Sequence, residues 1–254
     1  MRIPRVYLQA KLEPESTVDL PAEEAHHLVR VLRRRAGDAV LLISLGGIFE
    51  GEIDDVSGVS GEQELRVRVR VRGQTQDDVP RVLPWTLGVG VVKGESFDLA
   101  LRMASELGVG RVVPLWTARA VVRPTRSAQK SERWARVARE AAKQCGRAEP
   151  LVVAPPCELA DFLEECRDQN ARWITVPAAP PKPGWVDSFF DSDKKEVLPA
   201  TFLVGPEGGF TPAEVERAID AGFEPLGFPT PVLRTPTAVA LIGALGVLIS
   251  TRGP

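Results

Sequence analysis

Residues 201–214, TFLVGPEGGFTPAE, limit what this chain can fold into more than any other stretch. Phe202-Leu203-Val204 is an unbroken apolar run, the pattern of a strand buried on both faces. It breaks into Gly205-Pro206-Glu207-Gly208-Gly209, where glycine permits a left-handed backbone and lets a ligand approach bare main chain. A helix start follows at once. Thr211 fits the N-cap, Pro212 the first helical position, and Glu214 completes a capping box three residues on. Open α/β sheets hold ligands at the carboxyl ends of their strands through this succession of strand, loop and helix.

Residues 232–249, VLRTPTAVALIGALGVLI, echo the plan. Val232-Leu233 predicts a second short strand, Arg234-Thr235 a turn, and Pro236 the opening of a helix that is apolar almost all round from Ala238 to Ile249. Such a helix needs cover on every side, from a sheet or from a second subunit. Neither loop carries the G-x-G-x-x-G or G-x-x-x-x-G-K-[ST] phosphate fingerprints. Spacing alone leaves open two ordinary strand-to-helix turns.

The rest of the chain supplies the frame. Residues 1–72 predict a small β-rich unit, with a strand at Val40-Leu41-Leu42-Ile43, a turn at Gly46-Gly47 and a return strand over 48–53. A short helix is expected over 21–35 with Leu28, Val31 and Leu32 on its apolar face and Arg33-Arg34-Arg35 at its C-terminus, where the helix dipole favours cations. Residues 65–72, LRVRVRVR, alternate strictly, so Arg66, Arg68, Arg70 and Arg72 share one face of a strand. Either cross-strand acids such as Glu50, Glu52, Glu62 or Glu64 balance them, or the face meets phosphates. A polar, proline-containing linker is expected over 74–84. From 85 onward, strands are expected at 85–92, 111–116, 151–154 and 173–176, and helices at 95–107, 158–169 and after an N-cap at Ser131. This alternation argues for a mostly parallel sheet with helices on both faces. On a wheel of the third helix, Trp134, Val137, Ala138, Ala141, Ala142 and Cys145 take one side. Arg133, Arg136, Arg139, Lys143 and Arg147 form a basic arc on the other, either solvated or set against RNA.

Several function classes drop out. Three cysteines, Cys145, Cys157 and Cys166, include no C-x-x-C pair, and their odd number argues against a disulfide framework and for a reducing cytoplasm. The N-terminus lacks the apolar core of a signal peptide, and the longest apolar run is too short for a bilayer, so no membrane association is expected. His26 and His27 are the only histidines, which disfavours a His-based metal site, and no metal is expected. Net charge is −2, yet residues 1–150 carry 24 Lys+Arg against 20 Asp+Glu, and residues 151–254 carry 8 against 14. The balance of +4 against −6 makes the first part the more favourable place for contact with a polyanion.

The sequence resembles the RsmE-type ribosomal RNA methyltransferases of the SPOUT superfamily. The likeness runs through Ile3-Pro4-Arg5, His26-His27-Leu28, Gly37-Asp38, Lys93-Gly94 and Glu106-Leu107-Gly108-Val109. It continues through Glu132-Arg133-Trp134, Gln144-Cys145-Gly146-Arg147, Gly205 to Phe210, and Leu233-Arg234-Thr235-Pro236-Thr237-Ala238. The resemblance implies a PUA-like RNA-binding β-barrel (1–73), the linker (74–84) and an α/β trefoil-knot domain with a mostly parallel sheet (85–254). It further implies a homodimer that uses S-adenosyl-L-methionine to methylate N3 of a uridine in 16S ribosomal RNA of the small subunit. Three loops of the family hold the methyl donor. Carried onto this chain they supply Val176 and Pro177; Leu203, Gly205, Pro206, Glu207, Gly208, Gly209 and Phe210; and Leu226, Gly227, Leu233, Arg234, Thr235, Thr237 and Ala238. RNA contacts are expected from Arg5, His26, His27, Arg30, Arg33, Arg66, Arg68, Arg70 and Lys93, and from the third helix at Arg133, Arg136, Arg139, Lys143 and Arg147.

Methyl transfer from a sulfonium needs alignment and loss of the uracil imide proton. Arginine stays protonated, so Arg147 and Arg234 take electrostatic roles, while Glu207 is the catalytic carboxylate to test, with Glu140 second. A loop-bracing acceptor is the other reading of Glu207. Where the family commonly has Glu, this chain has Pro236. That departure keeps a second function open, a non-catalytic RNA-binding assembly factor on the same fold. A nucleotide or small-acid enzyme unrelated to RNA is the third.

Overall fold

The computed structural model describes residues 3–8, 10–44, 47–58, 65–75, 82–120, 127–147, 149–169, 171–177, 179–180, 183–194 and 196–251. The chain divides into two compact units, Met1–Pro80 with Gly146–Glu149, and Arg81–Cys145 with Pro150–Pro254.

In the first unit, strands β1 (Arg5–Tyr7), β2 (Thr17–Asp19), β3 (Ala39–Ser44), β4 (Gly47–Ser57) and β5 (Arg66–Thr75) form one sheet in the order β1-β3-β4-β5-β2. β1 runs parallel to β3 and the other pairs are antiparallel. The alternation in β5 sorts its side chains as the sequence demands. Val67, Val69 and Val71 are fully buried with Leu42, Ile53 and Leu28, while the arginines stand outside. There Arg68 pairs with Asp19 at 2.9 Å, Arg70 with Asp54 at 2.5 Å and Arg72 with Glu52 at 2.9 Å. The balanced face is what the structure shows, though two of the three acids differ from those expected, and Glu62 and Glu64 lie outside the described residues.

The helix expected over 21–35 is shorter and changes pitch. α1 (Ala22–His26) passes into a π-helical turn over His27–Val31, in which Leu32 N–H donates to the His27 carbonyl at 3.0 Å. The wider turn breaks the 3.6-residue spacing. Ala25 and Leu28 are buried, but Val31 and Leu32 swing out to 58% and 40% exposure, contrary to the expected apolar face.

In the second unit, β6 (Leu83–Gly90), α2 (Glu95–Glu106), β7 (Val109–Trp116), α3 (Ser127–Cys145), β8 (Val152–Val153), β9 (Cys157–Glu158) and α4 (Leu159–Glu165) come first. β10 (Arg172–Thr175), a 3-10 turn over Trp185–Phe189, the short pair β11 (Phe190–Asp191) and β12 (Glu196–Val197), β13 (Ala200–Val204), α5 (Pro212–Asp220), β14 (Glu224–Leu226) and α6 (Thr235–Ser250) follow. The large sheet has the order β14-β10-β13-β6-β7-β8, with β9 beside β7, and every pairing in it is parallel. Central strand β13 is buried at all five residues, as its apolar run requires.

Several elements differ from expectation. Gln74 and Thr75 pair with β4, and Leu83 pairs with Val109, so the linker expected over 74–84 gives up residues to strands at both ends. α3 starts at Ser127, because SAQKS contains no breaker and Ser131 is carried inside the helix. Val232-Leu233 is not a strand, and Val232 is 76% exposed. The strand before that loop is β14, whose sequence EPL hides it; at the edge of the sheet Pro225 lacks no ladder bond that matters.

α6 lies against α2 and β6. Its glycines make this possible: a methyl on Gly243 would lie 2.7 Å from Leu107, and one on Gly246 2.4 Å from Leu83 and 2.8 Å from the Trp85 ring. The chain does not cover α6 on every side. Val247 and Leu248 remain 40% and 64% exposed.

Candidate active site

The carboxyl ends of β10, β13 and β14 are adjacent, and a cavity of about 340 Å³ opens among the loops that leave them. Its first wall is Thr175, Val176 and Pro177, where Val176 N–H donates to the Leu226 carbonyl at 3.0 Å and Thr175 Oγ1 to the Leu203 carbonyl at 3.0 Å. The second is the turn from Val204 to Phe210. Gly209 N–H closes it onto the Pro206 carbonyl at 2.8 Å, with Gly209 at φ +66°, where glycine is the unstrained residue. The turn is packed from below. A methyl on Gly90, at the end of β6, would lie 2.5 Å from Pro206 Cδ, and one on Gly205 3.1 Å from Gly209 Cα. The third wall runs from Leu226 to Ala238, and buried Thr235 ties it to the second by donating from Oγ1 to the Gly205 carbonyl at 2.8 Å.

Two further anchors come from the connection after β7. The capping box of α5 is complete: Thr211 Oγ1 accepts from Glu214 N–H at 3.2 Å, and Glu214 Oε2 accepts from Thr211 N–H at 2.8 Å. The other carboxylate oxygen accepts from Ala118 N–H at 2.7 Å. The Arg119 guanidinium donates to the Gly208 carbonyl at 2.7 Å and to that of Phe210 at 3.4 Å. The main chain of the glycine turn is thus fixed by a side chain 89 residues away in sequence.

Of the expected donor-loop residues, Val176, Pro177, Gly205, Pro206, Glu207, Gly208, Gly209, Phe210, Leu226, Leu233, Thr235 and Ala238 line this cavity. Four do not. Leu203 is fully buried on the opposite side of the sheet with Phe162 and Ile174, as alternation along β13 dictates. Gly227 faces the Ala179 carbonyl, where a methyl would lie 1.7 Å from the oxygen. Arg234 and Thr237 are exposed away from the lining. Glu207 is exposed at the cavity and makes no hydrogen bond among the described residues, so the loop-bracing carboxylate is Glu214 and not Glu207. Sequence reasoning missed Arg119, Thr175, Val204, Val215, Phe228 and the run Thr230-Pro231-Val232. The last has the composition of a shaped loop; Arg119 gives no local signal at all.

Arg147 is not the exposed cation that the helical wheel made it. It follows the end of α3 and is 1% exposed, its carbonyl accepting from the Tyr7 hydroxyl at 2.7 Å in the first unit. Arg5 is similarly occupied, donating to the Gly146 carbonyl. Arg133 is exposed but bonded to the buried Asp98 carboxylate at 2.5 Å. Arg68 and Arg70 are held in ion pairs, which strengthen the case against a free phosphate-binding ladder. His26, His27, Arg30, Arg33, Arg66, Lys93, Arg136, Arg139 and Lys143 are exposed, as is Glu140. Among the described residues no group of three His, Cys, Asp or Glu could hold a metal ion, and no helix is long and apolar enough to cross a membrane.

A parallel sheet with a main-chain cavity at its strand ends, joined to a small five-stranded unit, defines the class. The family described as "RNA methyltransferase domain" matches residues 80–246, and that described as "RNA methyltransferase PUA domain" matches residues 20–58. Ribosomal RNA small subunit methyltransferase E from Synechocystis is 32% identical over 227 residues, 88% of this chain and 70% of that protein. The Bacillus subtilis protein of the same name is 28% identical, covering 90% of this chain and 88% of its own. Among solved structures, ribosomal RNA small subunit methyltransferase E from Neisseria gonorrhoeae bound to S-adenosyl methionine matches 96% of both chains with a TM-score of 0.81 at 27% identity. The Legionella pneumophila methyltransferase Lpg2936 in complex with the same cofactor matches 99% of this chain and 98% of its own with a TM-score of 0.77 at 27% identity. The chain belongs to the RsmE-type family of ribosomal RNA small subunit methyltransferases.

Proposed function

We propose that this chain uses S-adenosyl-L-methionine to methylate N3 of one uridine in the 16S RNA of the small ribosomal subunit, in the cytoplasm. The cavity at the ends of β10, β13 and β14 carries this reading. Its volume of about 340 Å³ lies in the range of small-molecule sites. Val176, Leu226 and Phe228 offer apolar walls, and the edge at Gly205 and Gly208 is bare main chain that a polar ligand can approach. These residues fit the cofactor named with the Neisseria relative, which supports the same ligand here.

When bound, S-adenosylmethionine supplies a methyl group on a cationic sulfur, so the chain has to orient the acceptor and take one proton from it. Glu207, unengaged at the cavity, is placed to accept the uracil imide proton. Arg119, held on the carbonyls of Gly208 and Phe210, keeps a cation at the same cavity to stabilise the charge left on uracil. Arg234, at the N-cap of α6 and outside the lining, serves the RNA rather than the reacting atoms. The exposed arc of Arg136, Arg139 and Lys143 supplies phosphate contacts. The exposed Val247 and Leu248 on α6 suit burial against a second copy of the chain.

Pro236 does not favour the non-catalytic alternative. It is buried in the first turn of α6 and does not line the cavity. The test is mass spectrometry of small-subunit RNA from a strain lacking the gene. N3-methyluridine disappears and returns with the wild-type gene but not with Glu207→Gln, although that variant still binds the cofactor. An unchanged N3-methyluridine level in the deletion strain refutes the assignment.

A further inference from the structure

The turn that follows α1 combines three features. It is the place where two large aliphatic side chains, Val31 and Leu32, stand in solvent at 58% and 40% exposure. It is rich in cations: residues 30–35 hold four arginines, of which Arg30, Arg33 and Arg35 are exposed, with one acid at its end, Asp38, whose carboxylate accepts from the Arg35 N–H at 2.9 Å. It is also strained. Arg33 has φ +54°, the left-handed position that ends many helices and that glycine ordinarily fills. The Arg34 N–H closes the end by donating to the Leu28 carbonyl at 2.9 Å, so the left-handed residue is built into the turn.

A stable fold would place glycine at 33 and polar residues at 31 and 32. The π-helical turn does the reverse: it takes Val31 and Leu32 out of the core while Leu28 stays in it. Strain and π-turns concentrate at functional positions. Charge identifies the occupant. On β5 the cations Arg68, Arg70 and Arg72 face Asp19, Asp54 and Glu52, whereas exposed Arg33 and Arg35 follow Val31 and Leu32 and form the rim of an apolar centre. Phosphates suit the rim and a base face suits the centre, a combination that an unpaired stretch of RNA offers more readily than an A-form duplex, whose bases are stacked inside.

We propose that Val31 and Leu32 form a wedge that packs on an exposed base of single-stranded RNA, with Arg33 and Arg35 on the flanking phosphates. The proposal rests on RNA being the substrate and adds which nucleotides the first unit holds. Full-length chain is titrated by fluorescence anisotropy with a labelled 20-nucleotide oligoribonucleotide of mixed sequence, and with the same sequence as a duplex, at 50, 100 and 200 mM salt. Val31→Ser with Leu32→Ser weakens single-strand binding about tenfold at every salt concentration, because an apolar contact releases no counterions. Duplex binding and the urea midpoint stay as in wild type. Arg33→Gly raises the urea midpoint, weakens binding and flattens the salt dependence by about one phosphate contact. Wild-type single-strand affinity in the double variant overturns the wedge while leaving the methyltransferase reading intact. Loss of binding to small-subunit particles with oligonucleotide binding unchanged assigns the patch to a protein and also overturns it. Failure of the wild-type chain to bind the single strand also overturns the wedge, and the deletion strain decides the methyltransferase reading separately.

Discussion

Gly90→Ala tests whether the floor of the cavity is set by backbone contact. The added methyl would lie 2.5 Å from Pro206 Cδ and 2.7 Å from Pro206 N, where ordinary contact begins near 3.4 Å. Neither partner is the free end of a flexible side chain. The Gly205–Pro206 segment therefore has to withdraw by roughly 1 Å, an overpacking that costs about 1–3 kcal/mol of stability. A displacement of that size in a positioning element lowers a rate by about a hundredfold. Calorimetry with S-adenosylmethionine, urea unfolding and single-turnover methylation of small subunits measure the three consequences: weaker binding by about tenfold, a lower midpoint and a slower transfer. Gly73→Ala is the control, since a methyl there meets nothing within 4 Å. Wild-type cofactor affinity in a Gly90→Ala protein of unchanged stability would refute the reasoning.

Glu214→Ala removes the capping box and the bond to Ala118 N–H together, so urea unfolding should show a loss of about 2–4 kcal/mol, and Glu214→Gln a smaller one. A change below about 0.5 kcal/mol would mean that water replaces the carboxylate at no cost. Burial, aided by Glu165, pushes the Cys157 and Cys166 thiols from 9.0 up to about 11. Both should react slowly with a disulfide reagent at pH 8 in the folded chain and quickly after unfolding. Because the folded values are raised, the stability they contribute is complete below pH 9 and is lost as pH climbs through 11. Thermal melts across that window should show the decline, which Cys157→Ser with Cys166→Ser should reduce.

The parts of the fold written locally were legible in the sequence. The apolar run at 202–204, the glycines after it and the Thr211 to Glu214 box specify strand, turn and helix within fourteen residues, and the alternation of β5 fixes which side faces the core. What escaped depends on partners distant in sequence or on exceptions to a period. β14 contains a proline that only its edge position excuses. The π-helical turn has no pattern distinct from an α-helix, so Val31 and Leu32 were assigned to the wrong side. Arg119 joins the site through bonds to main-chain carbonyls, which no motif announces. Arg147 shares the arc of its neighbours on a helical wheel, but the helix stops at Cys145, so the wheel does not apply to it. The family resemblance supplied the loops, and the structure decides which of their residues look inward.

The paired arginines of β5 have an effect at long range. Each guanidinium has an acid within hydrogen-bonding distance at its side, so from beyond a Debye length that surface presents little net field. An approaching polyanion therefore feels little pull from this strand until it is close. The three ion pairs thus act less as struts than as a mask over a strand that is cationic by sequence alone.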